Sequence, residues 1–513
     1  MSTDETTPLL NRMKSEEKGD IPTYPPTHEG GFRTLILLFD GTGDKDDEDI
    51  SNVVALKNML HPEKDPKKQL IYYQTGIGTY NPYFPGLKTK IPLITDASRK
   101  LDGAVAWSLD HHVVGFSRGA YTARAVSAMI NKVGLLPQSR RDQAWPAYES
   151  FTSKGKDTWE HSAVFRKKNE SRGVIIEFLG VWSAPRVVFI HHQNLTKTIH
   201  NRDTVNSVGM INARKLPFTA SNGSVKTFRH AVALDEHRSR FRSNMWNPPK
   251  SDPKKQPQPL VTDVDQVWFA GAHCDVGGGS VPNGTRPNLA HIALRWMVRE
   301  CFKAKNGMMF NPAGIRDIGI DPDTLYPAVK TRPAPLEPTP DLKLSSDNII
   351  KKPGVIKRVG SWLKGWFTTP PKPEKPDYSV YKTYDEEQLD LVDALAPIYD
   401  QLVINKAKWW ILENTWLKGY SVQEKRDVWR RNLGRGRTIL PPLDPDLTDP
   451  VKAAAKNEVP LDPRWAKLRV HRTVRTRMAY AGDDKIPRYI PKALMNGETT
   501  LDKLDSDLIK WVD

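Results

Sequence analysis

Hydrophobic positions in this chain fall into short, unbroken runs, each closed by a turn of small or polar residues. Residues 34–39 (Thr-Leu-Ile-Leu-Leu-Phe) form the first run. A continuous apolar stretch of that length predicts a strand buried on both faces, as in a parallel sheet. It ends in Asp40-Gly41-Thr42-Gly43. Residues 69–74 predict a second strand, closed by Thr75-Gly76-Ile77-Gly78-Thr79. Further strands are predicted over 174–182, 228–234 and 266–270. Helical spacing appears over 52–60, 97–109, 120–133 and 290–304. Strands alternating with helices predict an α/β fold with a mostly parallel sheet flanked by helices. In such sheets ligands sit beyond the carboxyl ends of the strands.

The pattern divides the chain. Residues 1–30 are polar and without periodicity, which predicts a disordered tail. Within it Glu5-Thr6-Thr7-Pro8-Leu9-Leu10 matches an acidic dileucine sorting signal, a match that arises often by chance. Residues 31–305 carry the strand–helix alternation. Residues 306–385 form a Pro- and Lys-rich linker. One short amphipathic helix is predicted inside it, with Val355, Val359, Trp362 and Trp366 on one face. A basic helix of this kind suits a membrane interface or docking on the protein's own body. Residues 386–513 form a helical and irregular C-terminal extension, helical over about 386–420 and Pro-punctuated beyond.

Composition narrows the choice of partners. The 513 residues include 38% hydrophobic positions, enough for a substantial core. Lys and Arg exceed Asp and Glu by 16, with a pI near 9.5. That balance favours anionic partners such as phospholipid surfaces. The basic residues are scattered, with no RNA-binding signature or zinc-finger spacing, so no nucleic-acid partner is expected. The two cysteines, Cys274 and Cys301, make no disulfide framework. No run reaches the length of a membrane span and no signal-peptide pattern opens the chain. A cytoplasmic protein, or one peripheral to a membrane, is expected.

The candidate chemistry begins at Gly115-Phe116-Ser117-Arg118-Gly119, a G-x-S-x-G pattern followed by a helical run. In an α/β-hydrolase this pattern turns a strand sharply into a helix and lifts a serine hydroxyl out of the turn. The flanking glycines leave room for the strained serine backbone. Ser117 is therefore the candidate nucleophile. Its own strand reads as barely four residues, 111–114, and His111 and His112 within it are poor bases. A serine needs a base, and the base an orienting acid. His273 follows a strand and precedes Gly277-Gly278-Gly279. Two acids compete for the third place: Asp235 stands at a clean strand end, and Asp203 lies further from its strand. One oxyanion donor is expected from Arg118, the residue after the nucleophile. A second is expected from Gly41 or Thr42. Cys274 and Asp275 are too few to make a metal site, and no cofactor is expected.

Taken as an ordered set, these motifs resemble the α/β-hydrolase catalytic domain of type VI secretion phospholipase effectors, which has uncharacterised fungal members. The resemblance rests on Phe39-Asp40-Gly41-Thr42, Gly76-Ile77-Gly78-Thr79, residues 115–124, Phe178-Leu179-Gly180-Val181-Trp182, Leu234-Asp235-Glu236, residues 268–279 and Leu294-Arg295-Trp296-Met297. It covers roughly residues 33–305. It implies a Ser-Asp-His triad that hydrolyses acyl esters, with phospholipids as the substrates of the bacterial relatives. It also implies that Asp203 is the acid, because the family runs directly from Gly-Val-Trp into Asp-Thr-Val. Here Gly180-Val181-Trp182 and Asp203-Thr204-Val205 are separated by residues 183–202. An unspliced intron would produce such a segment, and sequencing the transcript tests that. The family also has a helix and a strand ahead of the elbow, so about one such unit is expected to be missing before Gly115. The resemblance thus implies an ester hydrolase of phospholipase or lipase type. The two departures leave a second reading, a catalytically impaired member acting as a binding protein.

Overall fold

A computed structural model describes residues 25, 33–41, 49–60, 69–76, 109–153, 158–183, 219, 221, 223–247, 261–339, 381, 383–421, 426–439, 445–449, 451–452, 462–481, 488–504 and 506–513. The predicted N-terminal tail (apart from residue 25), the helix expected over 97–109 (apart from Leu109, which opens a strand), the amphipathic helix near 355–367, Thr42 and Asp203 lie outside them.

The centre is a sheet of eight strands, all paired in parallel. Numbering only the strands of this sheet, they are β1 (Arg33–Phe39), β2 (Gln69–Gln74), β3 (Leu109–Phe116), β4 (Ile176–Trp182), β5 (Val225–Ala233), β6 (Asp263–Phe269), β7 (Leu468–His471) and β8 (Ile509–Val512). Their spatial order is 8-7-6-5-4-3-1-2. The chain therefore steps from β1 outward to β2, then returns to the other side of β1 with β3. Between β1 and β3 lies the switch point at which α/β sheets open a crevice. The helices that bear on the site and its bracing are α1 (Asn52–Met59), α2 (Ser117–Val133), α3 (Ala290–Lys303), α4 (Glu386–Ala394) and α5 (Lys406–Glu413).

The unbroken apolar runs have a direct cause. Successive side chains of a strand point to opposite faces. Along β1, Leu35, Leu37 and Phe39 pack with Ala120, Ala123 and Val126 of α2, whereas Ile36 and Leu38 pack in the core that holds α1 and α3. Helices cover both faces, so the run is apolar except for Thr34 at its start, whose hydroxyl donates to the Gly307 carbonyl at 3.2 Å.

Strand β3 differs from its expected form. It has eight residues rather than four, because Leu109 and Asp110 before the expected run and Gly115 and Phe116 after it also pair with neighbouring strands. It pairs with β1 from Arg33↔Leu109 to Phe39↔Gly115, and with β4 up to Phe116↔Trp182. Val113 and Val114 fill the central position, and the described sheet has no gap there.

The C-terminal region joins the same sheet. Val470 of β7 pairs with Trp268 of β6, and β8 pairs with β7. Helix α4 is held to α3 by buried charge. Arg295 is fully buried and donates to Asp390 (2.7 Å) and Asp393 (2.7 Å). Arg332 adds a second bridge to Asp390 at 2.8 Å.

Candidate active site

The carboxyl ends of β1, β3, β4, β5 and β6 come to one edge in register, from Phe39↔Gly115 through Phe116↔Trp182 and Trp182↔Ala231 to Ala233↔Phe269. Each predicted site residue in the described part of the chain hangs from one of these ends.

Ser117 is the first residue of α2 and has φ of +55°. A non-glycine residue in that region is strained, and it stays there only when the surroundings enforce it. Two glycines enforce it here. A Cβ on Gly115 would lie 2.6 Å from the Gly119 carbonyl oxygen, and one on Gly119 would lie 2.2 Å from the Phe39 carbonyl oxygen. Helix α2 therefore starts pressed against the ends of β1 and β3. That tight turn puts the Ser117 hydroxyl at the crevice.

His273 begins a short helix, His273–Gly277, after β6. Its Nε2 lies 2.7 Å from Ser117 Oγ. Phe116 and Phe241 enclose the imidazole, with ring centroids 4.9 Å and 4.8 Å away. Serine and histidine are 6% and 3% exposed, so the pair works largely out of water. The downstream glycines allow this packing: a Cβ on Gly277 would lie 1.8 Å from the Phe116 ring. Burial pushes the His273 pKa well below its usual value, and the Arg238 charge adds to this. Glu236 opposes the shift, while Arg437 and Arg118 reinforce it. The imidazole is consequently neutral at pH 7 and able to accept a proton.

The other imidazole nitrogen meets a residue that the strand pattern did not single out. Ser183 Oγ lies 2.8 Å from His273 Nδ1. Ser183 directly follows Trp182, the last residue of β4, and is 1% exposed. Its N–H donates to the Ala231 carbonyl at 2.7 Å, which fixes it to the end of β5. Its place after a buried strand is a sequence signal that it shares with His273.

Asp235 is directed elsewhere. Its carboxylate accepts from the Gly271 N–H (2.7 Å), the Tyr489 hydroxyl (2.7 Å) and the Lys492 N–H (3.0 Å). It ties the ends of β5 and β6 to the C-terminal region. Glu236 is buried beside the histidine and accepts from the His273 N–H at 3.3 Å. Despite the burial, Arg238 holds its pKa down to about 2. Arg238 in turn lies against the Phe241 and Trp409 rings, at 3.6 and 4.6 Å.

Arg118 is the second residue of α2. The N-cap of that helix, Phe116, supplies no side-chain acceptor, so the positive end of the helix dipole is not capped by a side chain. The Gly41 N–H is directed to Asp40 Oδ1 at 2.8 Å. Asp40 also accepts from the Ser51 hydroxyl (2.5 Å) and the Tyr73 hydroxyl (2.6 Å), which anchors the end of β1. Asp275 is likewise engaged, accepting from the Ala272 N–H, the Tyr399 N–H and the Ser280 hydroxyl. Among the described residues, no helix is long and apolar enough to cross a membrane.

Comparison with known proteins agrees with this layout. The chain is similar to an uncharacterized protein of Saccharomyces cerevisiae, YEL023C, at 24% identity over 59% of this chain and 61% of the relative. It thus spans about three-fifths of that relative's length. Two solved structures are distantly similar. One is an uncharacterized protein from Pseudomonas aeruginosa, with 16% identity, 60% of this chain and 50% of that one covered, and a TM-score of 0.29. The other is the Tle1 effector bound to the VgrG spike of the type 6 secretion system, with 18% identity, 51% and 53% covered, and a TM-score of 0.25. At those scores the fold rests on the sheet's own topology. The catalytic-domain family of Tle1-like type VI secretion phospholipase effectors matches residues 33–115 and 112–300, together just over half of the chain. The two matched segments meet directly ahead of the elbow. The chain belongs to the Tle1-like phospholipase effector catalytic domain family.

Proposed function

We propose that this protein is a serine hydrolase that cleaves acyl esters, with phospholipids as the substrate class. The observation that carries the proposal is the 2.7 Å approach of Ser117 Oγ to the neutral, buried His273 Nε2 at the sheet's switch point. Family membership supports the substrate class, and the basic charge suits an anionic lipid surface.

The reaction is a two-step acyl transfer. Ser117 Oγ attacks the ester carbonyl carbon while its proton passes to His273 Nε2. The carbonyl oxygen becomes an oxyanion, met by the Arg118 N–H at the positive end of α2, with Thr42 after β1 as the second expected donor; the Gly41 N–H is held by Asp40 Oδ1 and would have to leave it to contribute. When the tetrahedral intermediate collapses, the bond to the leaving alcohol breaks and the imidazolium returns its proton to that oxygen. Water then attacks the acyl-serine, giving its proton to His273. The acyl–Oγ bond breaks, the carboxylic acid departs, and Ser117 recovers its proton. Asp203 is the orienting acid that the family resemblance assigns.

A second reading has one observation in its favour. The described partner of His273 Nδ1 is a hydroxyl, which cannot stabilise an imidazolium as a carboxylate does. A catalytically impaired protein that binds lipid without cleaving it would fit that contact. Turnover of phospholipid and of short acyl esters by the wild type and Ser117→Ala separates the two. The hydrolase reading expects wild-type turnover that falls at least about a thousandfold in the variant. Equal rates for a folded pair would end it.

A further inference from the structure

We infer that Arg437 is a positioning residue for His273. It joins the two ends of the loop after β5, and that loop holds the Phe241 ring against the imidazole. The catalytic consequence rests on the hydrolase reading; the geometry does not.

The bridge comes first. Arg437 is buried, and its guanidinium donates to two carbonyls, Ala233 at 2.9 Å and Phe241 at 2.6 Å. Ala233 is the last residue of β5, so the sheet fixes one carbonyl and the guanidinium fixes the other relative to it. The planar fork sets the separation of the two, because its nitrogens cannot move independently. Burial lowers the Arg437 pKa to about 10, with Glu236 acting to raise it, so the group is charged at pH 7. A cation held on main-chain carbonyls carries a desolvation cost that an apolar side chain would avoid. What it provides is a fixed closure of the loop.

The loop carries that closure to the histidine at two points. Phe241 and His273 meet edge to face, with ring centroids 4.8 Å apart. Glu236 accepts from the His273 N–H at 3.3 Å. Arg238 lies over the Phe241 ring at 3.6 Å and is paired with Glu236 at 2.6 Å, so the two contacts are joined within the loop. With its backbone and its ring both held, the imidazole keeps Nε2 directed at Ser117 Oγ.

The segment that bears Arg437 is itself built to hold one shape. Asn432 Nδ2 donates to the His237 carbonyl at 2.9 Å and to Glu413 at 2.7 Å, and His237 Nδ1 donates to the Gly434 carbonyl at 2.8 Å. Glu413 is fully buried and also accepts from the Gly434 N–H (3.0 Å) and the Ser239 N–H (2.6 Å). Leu433 has φ of +52°, a strained conformation for a non-glycine residue that persists only where its surroundings enforce it. A Cβ on Gly436 would lie 1.7 Å from the Lys492 carbonyl oxygen, so the chain passes there only as glycine. Residues 432–437 lie outside the family-matched segments 33–115 and 112–300. The family domain thus receives a brace for its histidine from a part of the chain beyond it.

The test uses the full-length protein with 15N-labelled histidine, the His273 ring signals being identified by their loss in His273→Gln. Arg437→Lys keeps the charge and loses the fork. It should shift the His273 signals, which sense the Phe241 ring, and lower kcat on short acyl esters at least about tenfold with KM changed less than about twofold. Asn432→Ala removes a second hold on the loop and should do the same to a smaller degree. Arg469→Lys loosens β7 from Asp265 of β6, away from the loop, and should leave the His273 signals and kcat as in the wild type. Wild-type His273 signals in folded Arg437→Lys would overturn the inference, as would an equal shift in Arg469→Lys. If Arg437→Lys does not fold, unmoved signals in Asn432→Ala overturn it instead. Shifted signals in a protein whose wild type turns over no ester would leave Arg437 standing and remove the hydrolase reading.

Discussion

At the scale of single residues, burial decides which groups can react. His230, His273 and His471 are all buried, and desolvation holds each below the ordinary imidazole pKa, His471 at about 3. An unfolded imidazole takes its proton near pH 6.5. Above that pH the folded and unfolded chains carry equal numbers of protons at these positions. Below it the unfolded chain binds more, so their stability is lost as pH falls from about 6.5 toward the folded values. Asp275 acts in the opposite direction. Desolvation raises its pKa to about 7, so between pH 7 and about 4 the folded chain holds a proton that the unfolded chain has released. Burial alone would lower His237, but its bonds to Asp400 and the Gly434 carbonyl raise it, so its contribution is complete below pH 6.5 and lost at higher pH. His291 is lowered by burial in the same way, and four histidines against one carboxyl predict a net loss of roughly 3–4 kcal/mol per unit between pH 6 and 5. Urea denaturation across that range measures it, and flat stability would contradict the burial of these rings. Ser117 was legible from its G-x-S-x-G pattern, and His273 from its place after a strand and before three glycines. Ser183 was not, because its role comes from register: the strand pairing of β4 on β5, absent from any local pattern, carries it to His273.

At the scale of elements, most of the sheet could be read in advance. Strands β1, β2, β4, β5 and β6 fall within a few residues of their predicted bounds, since a strand covered on both faces is largely apolar. Strand β3 was underestimated. His111 and His112 were already within the expected run and are buried there; the added residues are Leu109, Asp110, Gly115 and Phe116, whose mixed polarity gives no strand pattern. Paired charges in the core were also invisible to an apolar pattern. Arg295 on α3 reads as one polar residue in a helix, and its partners Asp390 and Asp393 lie almost a hundred positions away. Removing Asp390 leaves Arg295 with Asp393 alone and takes one carboxylate from the buried Arg332. Asp390→Ala is therefore expected to destabilise the protein by about 3–5 kcal/mol. Replacing Arg295, Asp390 and Asp393 together with apolar residues of similar volume should recover much of that loss. Thermal denaturation of the two variants decides it, and a single variant as stable as the wild type would contradict the clamp.

At the scale of the whole molecule, the site is shared between distant parts of the chain. The C-terminal region adds β7 and β8 beyond β6 and supplies Arg437, Trp409, Tyr489 and Lys492 to the groups that surround or brace the histidine loop. These strands are four residues each, too short to stand out by periodicity. Only the exposed edge of β6 gives them a place. The Ser117 elbow is accordingly the convergence of three constraints. Glycines press α2 on β1, a long β3 fills the centre of the sheet, and a braced loop presents His273.

The most direct test of the central claim is covalent. The protein is treated with a long-chain alkyl fluorophosphonate, and the modified peptide is located by mass spectrometry. The account predicts a single adduct on Ser117, formed by the wild type and largely abolished in His273→Ala. A folded wild type that stays unlabelled at Ser117, or labels there equally well without His273, would contradict it.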